Sequence, residues 1–204
     1  TPTVHTAELY ERGHSRAWHW LEMTTYPWEI LGDIPAVIVA IGDTLDPALY
    51  DHPAEGVWIA KSATVAPTAH IGAPCIIGEG SEVRHSAFIR GGALIGDGCV
   101  VGNSTELKNC ILFDGVQVPH YNYVGDSVLG NRAHMGAGSI CSNLKSDGKA
   151  VVIHADRDYE TGIRKIGGIL ADHADIGCGC VLNPGTVVGK NTSAYPLTPL
   201  RGTY

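Results

Sequence analysis

The sequence predicts an all-β fold, a parallel β-helix of hexapeptide repeats with an N-terminal α-helical arm, and three observations predict it. First, from Val57 to Val188 an aliphatic residue recurs at nearly every sixth position. Val65, Ile71, Ile77, Val83, Ile89, Ile95, Val101 and Leu107 form one unbroken series. Leu112, Val118, Val124, Leu129, Met135 and Ile140 form a second, and Leu170, Ile176, Leu182 and Val188 a third. Second, Gly72, Gly78, Gly96 and Gly102 stand directly behind four of these, and 26 glycines suit a chain that turns a corner every few residues. Third, neither a helical period of about 3.6 nor a strand period of about two selects every sixth residue, so the unit is a short strand plus a corner. Three hexads close a triangular coil of eighteen residues. Residues eighteen apart then become vertical neighbours, separated by a strand spacing of roughly 4.8 Å.

Residues 1–56 lack the repeat. Ala7 to Met23 predicts one amphipathic helix, with Leu9, Tyr10, Ala17, Trp18 and Leu21 at helical spacing. A turn at Pro27-Trp28-Glu29-Ile30-Leu31 follows, and Asp33 is placed to cap a second helix that has Pro35 in its first turn and runs through Val37, Ile38, Val39 and Ile41. So short an arm, rich in tryptophan (Trp18, Trp20, Trp28), cannot bury itself and is expected to cover the prism or another subunit. The β-helix is expected over 57–192, interrupted by a charged inserted loop at about 141–165. Such an insertion is expected to project from one edge and to carry function. Residues 193–204, with Pro196 and Pro199, break the pattern and are expected to leave the prism as a C-terminal extension.

A net charge of -7 with no Lys/Arg run argues against nucleic acid and anionic membranes as partners. A small anionic substrate stays allowed, because cations can be concentrated in one cleft. No apolar stretch approaches the roughly 20 residues of a membrane span and no signal peptide is visible, so a cytoplasmic, reducing compartment is the expectation. The six cysteines accordingly read as reduced thiols. Cys178-Gly-Cys180 lacks the spacing of a zinc pair, and no metal site is predicted.

Arg90 and Lys108 lie one eighteen-residue coil apart, which stacks two cations on one edge. They suit a phosphate, with a bidentate fork and a point charge, or are two solvated corner residues. His120, in Val118-Pro119-His120-Tyr121-Asn122-Tyr123, stands where bulky polar residues replace the small ones expected at a corner. It is a general-base candidate with Glu106 less than a coil away, or an exposed histidine with no chemical role. Gly136-Ala137-Gly138-Ser139 is a low-bulk corner where backbone can approach a ligand.

Taken in order, Arg90-Gly91-Gly92, Gly102-Asn103-Ser104-Thr105-Glu106-Leu107-Lys108, His120-Tyr121-Asn122-Tyr123-Val124-Gly125-Asp126, Gly136-Ala137-Gly138-Ser139-Ile140-Cys141-Ser142-Asn143 and Asp147-Gly148-Lys149 carry a family resemblance. The stretch from Ile71 to Val188 closely resembles the acetyltransferase half of the bifunctional N-acetylglucosamine-1-phosphate uridyltransferase / glucosamine-1-phosphate acetyltransferase family. The resemblance implies a left-handed prism, a homotrimer with active sites between subunits, acetyl-CoA as donor and an amino-sugar 1-phosphate as acceptor. By position it implies His120 as general base with Glu106 orienting it, and Arg90 and Lys108 on the sugar phosphate. Tyr123, Asn143 and Lys149 would hold the sugar, and Ala137 and Cys178 would line the acetyl-CoA cleft. His134 and Leu144 depart from the family's pattern on the sugar side. The uridyltransferase half is absent, and a stand-alone transferase is the expectation. The alternative is a non-catalytic sugar-nucleotide-binding or scaffolding trimer related to sugar nucleotidyltransferases, which the Pro27–Leu31 turn and the Asp147–Gly167 insertion resemble.

Overall fold

The computed structural model describes residues 3–204. Short strands stack in parallel on three faces, as the hexad predicts. One face runs through Val57–Ala60, Cys75–Ile77, Ala93–Ile95, the second half of Glu106–Leu112, Tyr123–Leu129, Gly168–Leu170 and Thr186–Val188. The other two begin at Thr64–Val65 and at His70–Ile71. The hexad positions fill the interior: Ile77, Ile95, Leu112, Leu129 and Leu170 form one fully buried column, and Val101, Val118, Met135 and Ile176 another. Each such side chain contributes about 1.5–3 kcal/mol of burial, repeated coil after coil. The small residue behind the aliphatic has a steric cause. A Cβ at Gly102 would run into the Pro119 carbonyl of the next coil.

Three features correct the expected spacing. Coils of eighteen residues hold at first (Cys75 over Ala93, Phe88 over Glu106), but the next are seventeen (Glu106 over Tyr123, Gln117 over His134). The lost residue is lost at one corner. Arg90-Gly91-Gly92 turns it in one coil, and Lys108-Asn109 and then Gly125-Asp126 turn it in the following two, where Asn109 and Asp126 take positive φ (47° and 49°). The third correction is that Cys141, not Ile140, faces inward above Val124.

The insertion opens at that same corner, between Ile140–Cys141 and Gly168–Leu170, and folds into an antiparallel hairpin, Val152–His154 with Asp158–Glu160. It does not project freely. Tyr159 packs edge-on against Tyr26 and Trp28, which stack on each other at 4.8 Å, Arg157 lies 4.3 Å over the Tyr159 ring, and the Thr203 hydroxyl donates to the His154 carbonyl. Residues 193–204 also stay in the prism, contrary to expectation. Ser193–Ala194 pairs with Asp175–Ile176 and Pro199–Leu200 with Val181–Leu182; Pro196 falls in the turn between them and Pro199 on the outermost strand, whose outer edge needs no donor.

The arm covers the prism, but not as one long helix over Ala7–Met23. Two single turns form, Thr6–Leu9 and Trp18–Leu21, and the chain between them is extended at Tyr10. Tertiary bonds override helical propensity there: Glu11 N–H donates to Asp172, His14 C=O accepts from Asp114 N–H, and Arg16 pairs with Asp97 at 2.7 Å. Tyr10 stacks on Phe113 inside the core. Pro27–Asp33 is a 3₁₀ turn and Ile34–Gly42 the expected helix, although the Asp33 side chain makes no capping bond. Gly42 ends this helix against Trp58, where a Cβ would stand 2.5 Å from the indole. Gly42→Ala is expected to lower stability by about 1 kcal/mol in thermal unfolding, since overpacking of about 1–3 kcal/mol outweighs at most about 1 kcal/mol of gained helix propensity.

Candidate functional site

Coil registers sort the outward residues into three columns on one face and its two corners. The face carries Phe88, Glu106, Tyr123, Ile140 and Val181. One flanking corner carries Asn103, His120, Ala137 and Cys178. There Tyr121 N–H donates to Asn103 C=O, Gly138 N–H to His120 C=O and Gly179 N–H to Ala137 C=O. The other corner carries Arg90, Lys108, Gly125 and Ser142, each following a paired core residue. The residues assigned to base, phosphate, sugar and acetyl-CoA therefore share one side of the prism. Lys149 lies at the root of the insertion, exposed, with its N–H bonded to Asp147 and its amine unpaired among the described residues.

A hydrogen-bonded network joins several of them. Lys108 Nζ donates to Asp126 Oδ2 at 2.9 Å, and Asn143 Nδ2 donates to Asp126 Oδ2 at 2.7 Å and to the Tyr123 hydroxyl at 3.0 Å. Asn109 Nδ2 donates to Asp126 Oδ1 at 2.9 Å and to the Leu31 carbonyl of the arm at 3.0 Å. Asp126 is the hub, and its side chain is only 7% exposed. Gly125 beside it leaves room for the approach, since a Cβ there would collide with the Tyr123 hydroxyl and the Asn143 amide. Burial pushes the Tyr123 hydroxyl above its ordinary pKa and the Asn143 bond opposes this, so the phenol stays protonated at neutral pH.

Glu106 pairs with Arg90 at 3.0 Å, both partly exposed, and not with His120. The expected Glu106–His120 contact is thus absent, and neither cation stands free of a carboxylate. Arg90 is held by an exposed ion pair worth about 0–1 kcal/mol, weak enough for an incoming anion to displace it.

His120 has an exposed side chain with no hydrogen bond among the described residues. Its backbone is firmly placed. Asn122, 2% exposed, accepts from the His120 N–H and donates to the Gly136 and Ser139 carbonyls, while its own N–H donates to the Thr105 hydroxyl. Tyr121 between them takes φ 51°. The ring is thus offered to solvent from a rigid corner. Ala137 and Cys178 are exposed one coil apart, and Gly136 keeps its backbone against the Cys178 N–H. His134 lies on a different face, paired with Asp175 at 2.9 Å.

Sequence reasoning assigned no role to Asp126, Asn109 or Asn122. Asp126 left a signal, an acid eighteen residues after Lys108, which the seventeen-residue coil turns from a stacked neighbour into the next corner residue.

Residues 73–158 match the family model described as the GMPPB C-terminal domain. The chain is 33% identical over 88 residues to the bifunctional protein GlmU of Methanococcus maripaludis, covering 43% of this chain and 21% of that protein. To the bifunctional protein GlmU of Paracidovorax citrulli it is 35% identical over 149 residues, covering 71% and 30%. To the bifunctional sugar-1-phosphate nucleotidylyltransferase/acetyltransferase of Sulfurisphaera tokodaii it is 33% identical over 92 residues, covering 45% and 23%. The chain spans less than a third of the length of these relatives, and they bear out the resemblance seen in its motifs.

Proposed function

We propose that this chain is an acetyl-CoA-dependent N-acetyltransferase acting on an amino-sugar 1-phosphate, with His120 as general base. The observation that supports this best is the convergence of Glu106 and Tyr123 on one face with Arg90, Lys108 and Asn143 at one of its corners and His120, Ala137 and Cys178 along the other. A sugar phosphate entering this face displaces Glu106 from Arg90, which places the released carboxylate within the same site to receive a hydroxyl or the imidazolium. The acceptor amine attacks the thioester carbonyl, His120 takes the amine proton, and the tetrahedral oxyanion collapses as the CoA thiolate leaves and is protonated by the imidazolium. Tyr123 and Asn143, locked through Asp126, orient the sugar ring.

We place the site between subunits of a homotrimer, which the exposed Phe88, Tyr121, Val181, Tyr195 and Leu197 on this side of the prism support. Among the described residues no helix is long and apolar enough to cross a membrane, and a cytoplasmic location is part of the proposal. The test is acetyl-CoA consumption against hexosamine 1-phosphates and free hexosamines. Turnover that requires the 1-phosphate is expected, and turnover of neither would overturn it. Cys178 is the one exposed cysteine of six, while burial lifts the thiols of Cys75, Cys99 and Cys141 to about 12. Alkylation is therefore expected to label Cys178 first and to slow when acetyl-CoA is bound, as read by mass spectrometry.

The pairing of both cations with carboxylates, and the absence of a Glu106–His120 contact, favour one competing assignment, a non-catalytic sugar-nucleotide-binding or scaffolding trimer. Calorimetry separates the two, because a scaffold takes up no acetyl-CoA.

A further inference from the structure

The corner column of Arg90 and Lys108 does not end at Gly125. Val124 pairs with Cys141, Cys141 with Leu182 and Leu182 with Leu200, so the residues that follow them, Ser142, Asn183 and Arg201, continue the same column. Beside its far end a cleft of about 330 Å³ opens between the last coil and the inserted hairpin. Lys145 enters it from the root of the insertion, His154 from the hairpin, and Arg201 and Asn183 from the coil corners. Leu144, Val152 and Pro184 supply apolar wall, and Gly185 and Gly202 bring backbone close.

The charge of this cleft is opposite to that of the chain. Lys145 has a loose contact with Asp147 at 3.6 Å, the one carboxylate in the cleft's lining, and the His154 ring is held from outside the lining by Asp158 at 2.7 Å. The Arg201 guanidinium makes no ion pair and no side-chain hydrogen bond among the described residues, while the Arg201 backbone N–H donates to the Tyr204 hydroxyl and the corner beneath is fixed by Asn183 Nδ2 on the Leu200 carbonyl. A guanidinium left without a partner on an anchored backbone, lining the same cleft as a lysine in a protein of net charge -7, is suited to an anion with several oxygens. Four coil rises of about 4.8 Å separate Arg201 from Lys108, roughly 19 Å, too far for one sugar phosphate to touch both.

We infer that this cleft is a second anion site, which binds a phosphate or diphosphate group between Arg201 and Lys145. The group is either the far end of an extended nucleoside-diphosphate sugar whose sugar lies at Tyr123 and Asn143, or a separate phosphorylated ligand. The chemistry at Arg201 is the same in both cases, and it stands whether or not the chain transfers acetyl groups.

Isothermal titration of the full chain with inorganic pyrophosphate tests it. Binding is expected in the unmodified protein and is expected to weaken about ten-fold or more in Arg201→Gln and in Lys145→Gln. Both side chains are away from the core, and unchanged thermal unfolding is expected of both variants. No pyrophosphate binding, or binding unchanged in both variants, would overturn the site. Titrations with a hexosamine 1-phosphate and with a nucleoside-diphosphate hexosamine assign the source. Weakening of the second alone in Arg201→Gln makes the anion part of the sugar ligand, and weakening of pyrophosphate alone makes it an independent one.

Discussion

Asp126→Ala is expected to destabilise the protein by about 2–4 kcal/mol, seen as a fall of roughly 5–10 °C in thermal unfolding. The carboxylate is almost fully enclosed and receives three donors, Lys108 Nζ, Asn109 Nδ2 and Asn143 Nδ2. Its removal leaves the ammonium without its countercharge and leaves each amide with one acceptor, Leu31 C=O for Asn109 and the Tyr123 hydroxyl for Asn143. Breaking a buried pair from one side costs about 3–5 kcal/mol, and the quarter exposure of Lys108 lowers that figure because water reaches the amine. Asp126→Asn separates charge from shape. It retains one acceptor oxygen and is expected to cost less, while Lys108 loses its countercharge. If Lys108 serves an anionic substrate, Asp126→Asn is expected to change affinity for the sugar phosphate more than it changes stability. Equal stability of Asp126→Ala and the parent protein would show that the network is not structural.

His120→Ala is expected to do the reverse. The ring is exposed and unbonded, so its loss is expected to alter stability by less than about 0.5 kcal/mol. Turnover in the acetyl-transfer assay is expected to fall by roughly two to four orders of magnitude, the usual worth of a positioned general base. Asn122→Ala is the informative companion, because it loosens the corner without touching the ring and is expected to lower both stability and turnover. Turnover near that of the parent in His120→Ala would remove the histidine from the chemistry.

The prism was legible because its core repeats a single steric demand: every aliphatic hexad position meets its counterpart one coil on. Ile77, Ile95 and Leu112 announce that demand individually. The shortened corner was not legible, since a five-residue step from Leu107 to Leu112 looks like a restart of the register rather than the loss of one corner residue. The same ambiguity put Ile140 in the core in place of Cys141. The arm misled for a different reason. Leu9, Tyr10, Ala17 and Leu21 do face the interior, but as two turns joined by extended chain, because buried Asp172 and the Asp97 and Asp114 corners attract its backbone and Arg16. At the site, the types of residue were legible and their pairing was not. Glu106 chose Arg90, and Asp126 became the hub, through register details that a one-residue error in coil length is enough to hide.

The stack of Tyr26, Trp28 and Tyr159, with Thr203 bonded to the hairpin on its other side, joins parts of the chain that a solenoid ordinarily keeps apart. In a simple stack each repeat touches only its neighbours, and coils can fray one after another from an open end. Here the arm at Tyr26 and Trp28, the mid-chain hairpin and the last coil are fastened to one another, so the last coil cannot peel away without tearing contacts of high sequence separation. Such a buckle converts gradual fraying into a single cooperative opening. The hairpin's final docking also has to wait until the last coil exists, which places it late in folding and makes it slow.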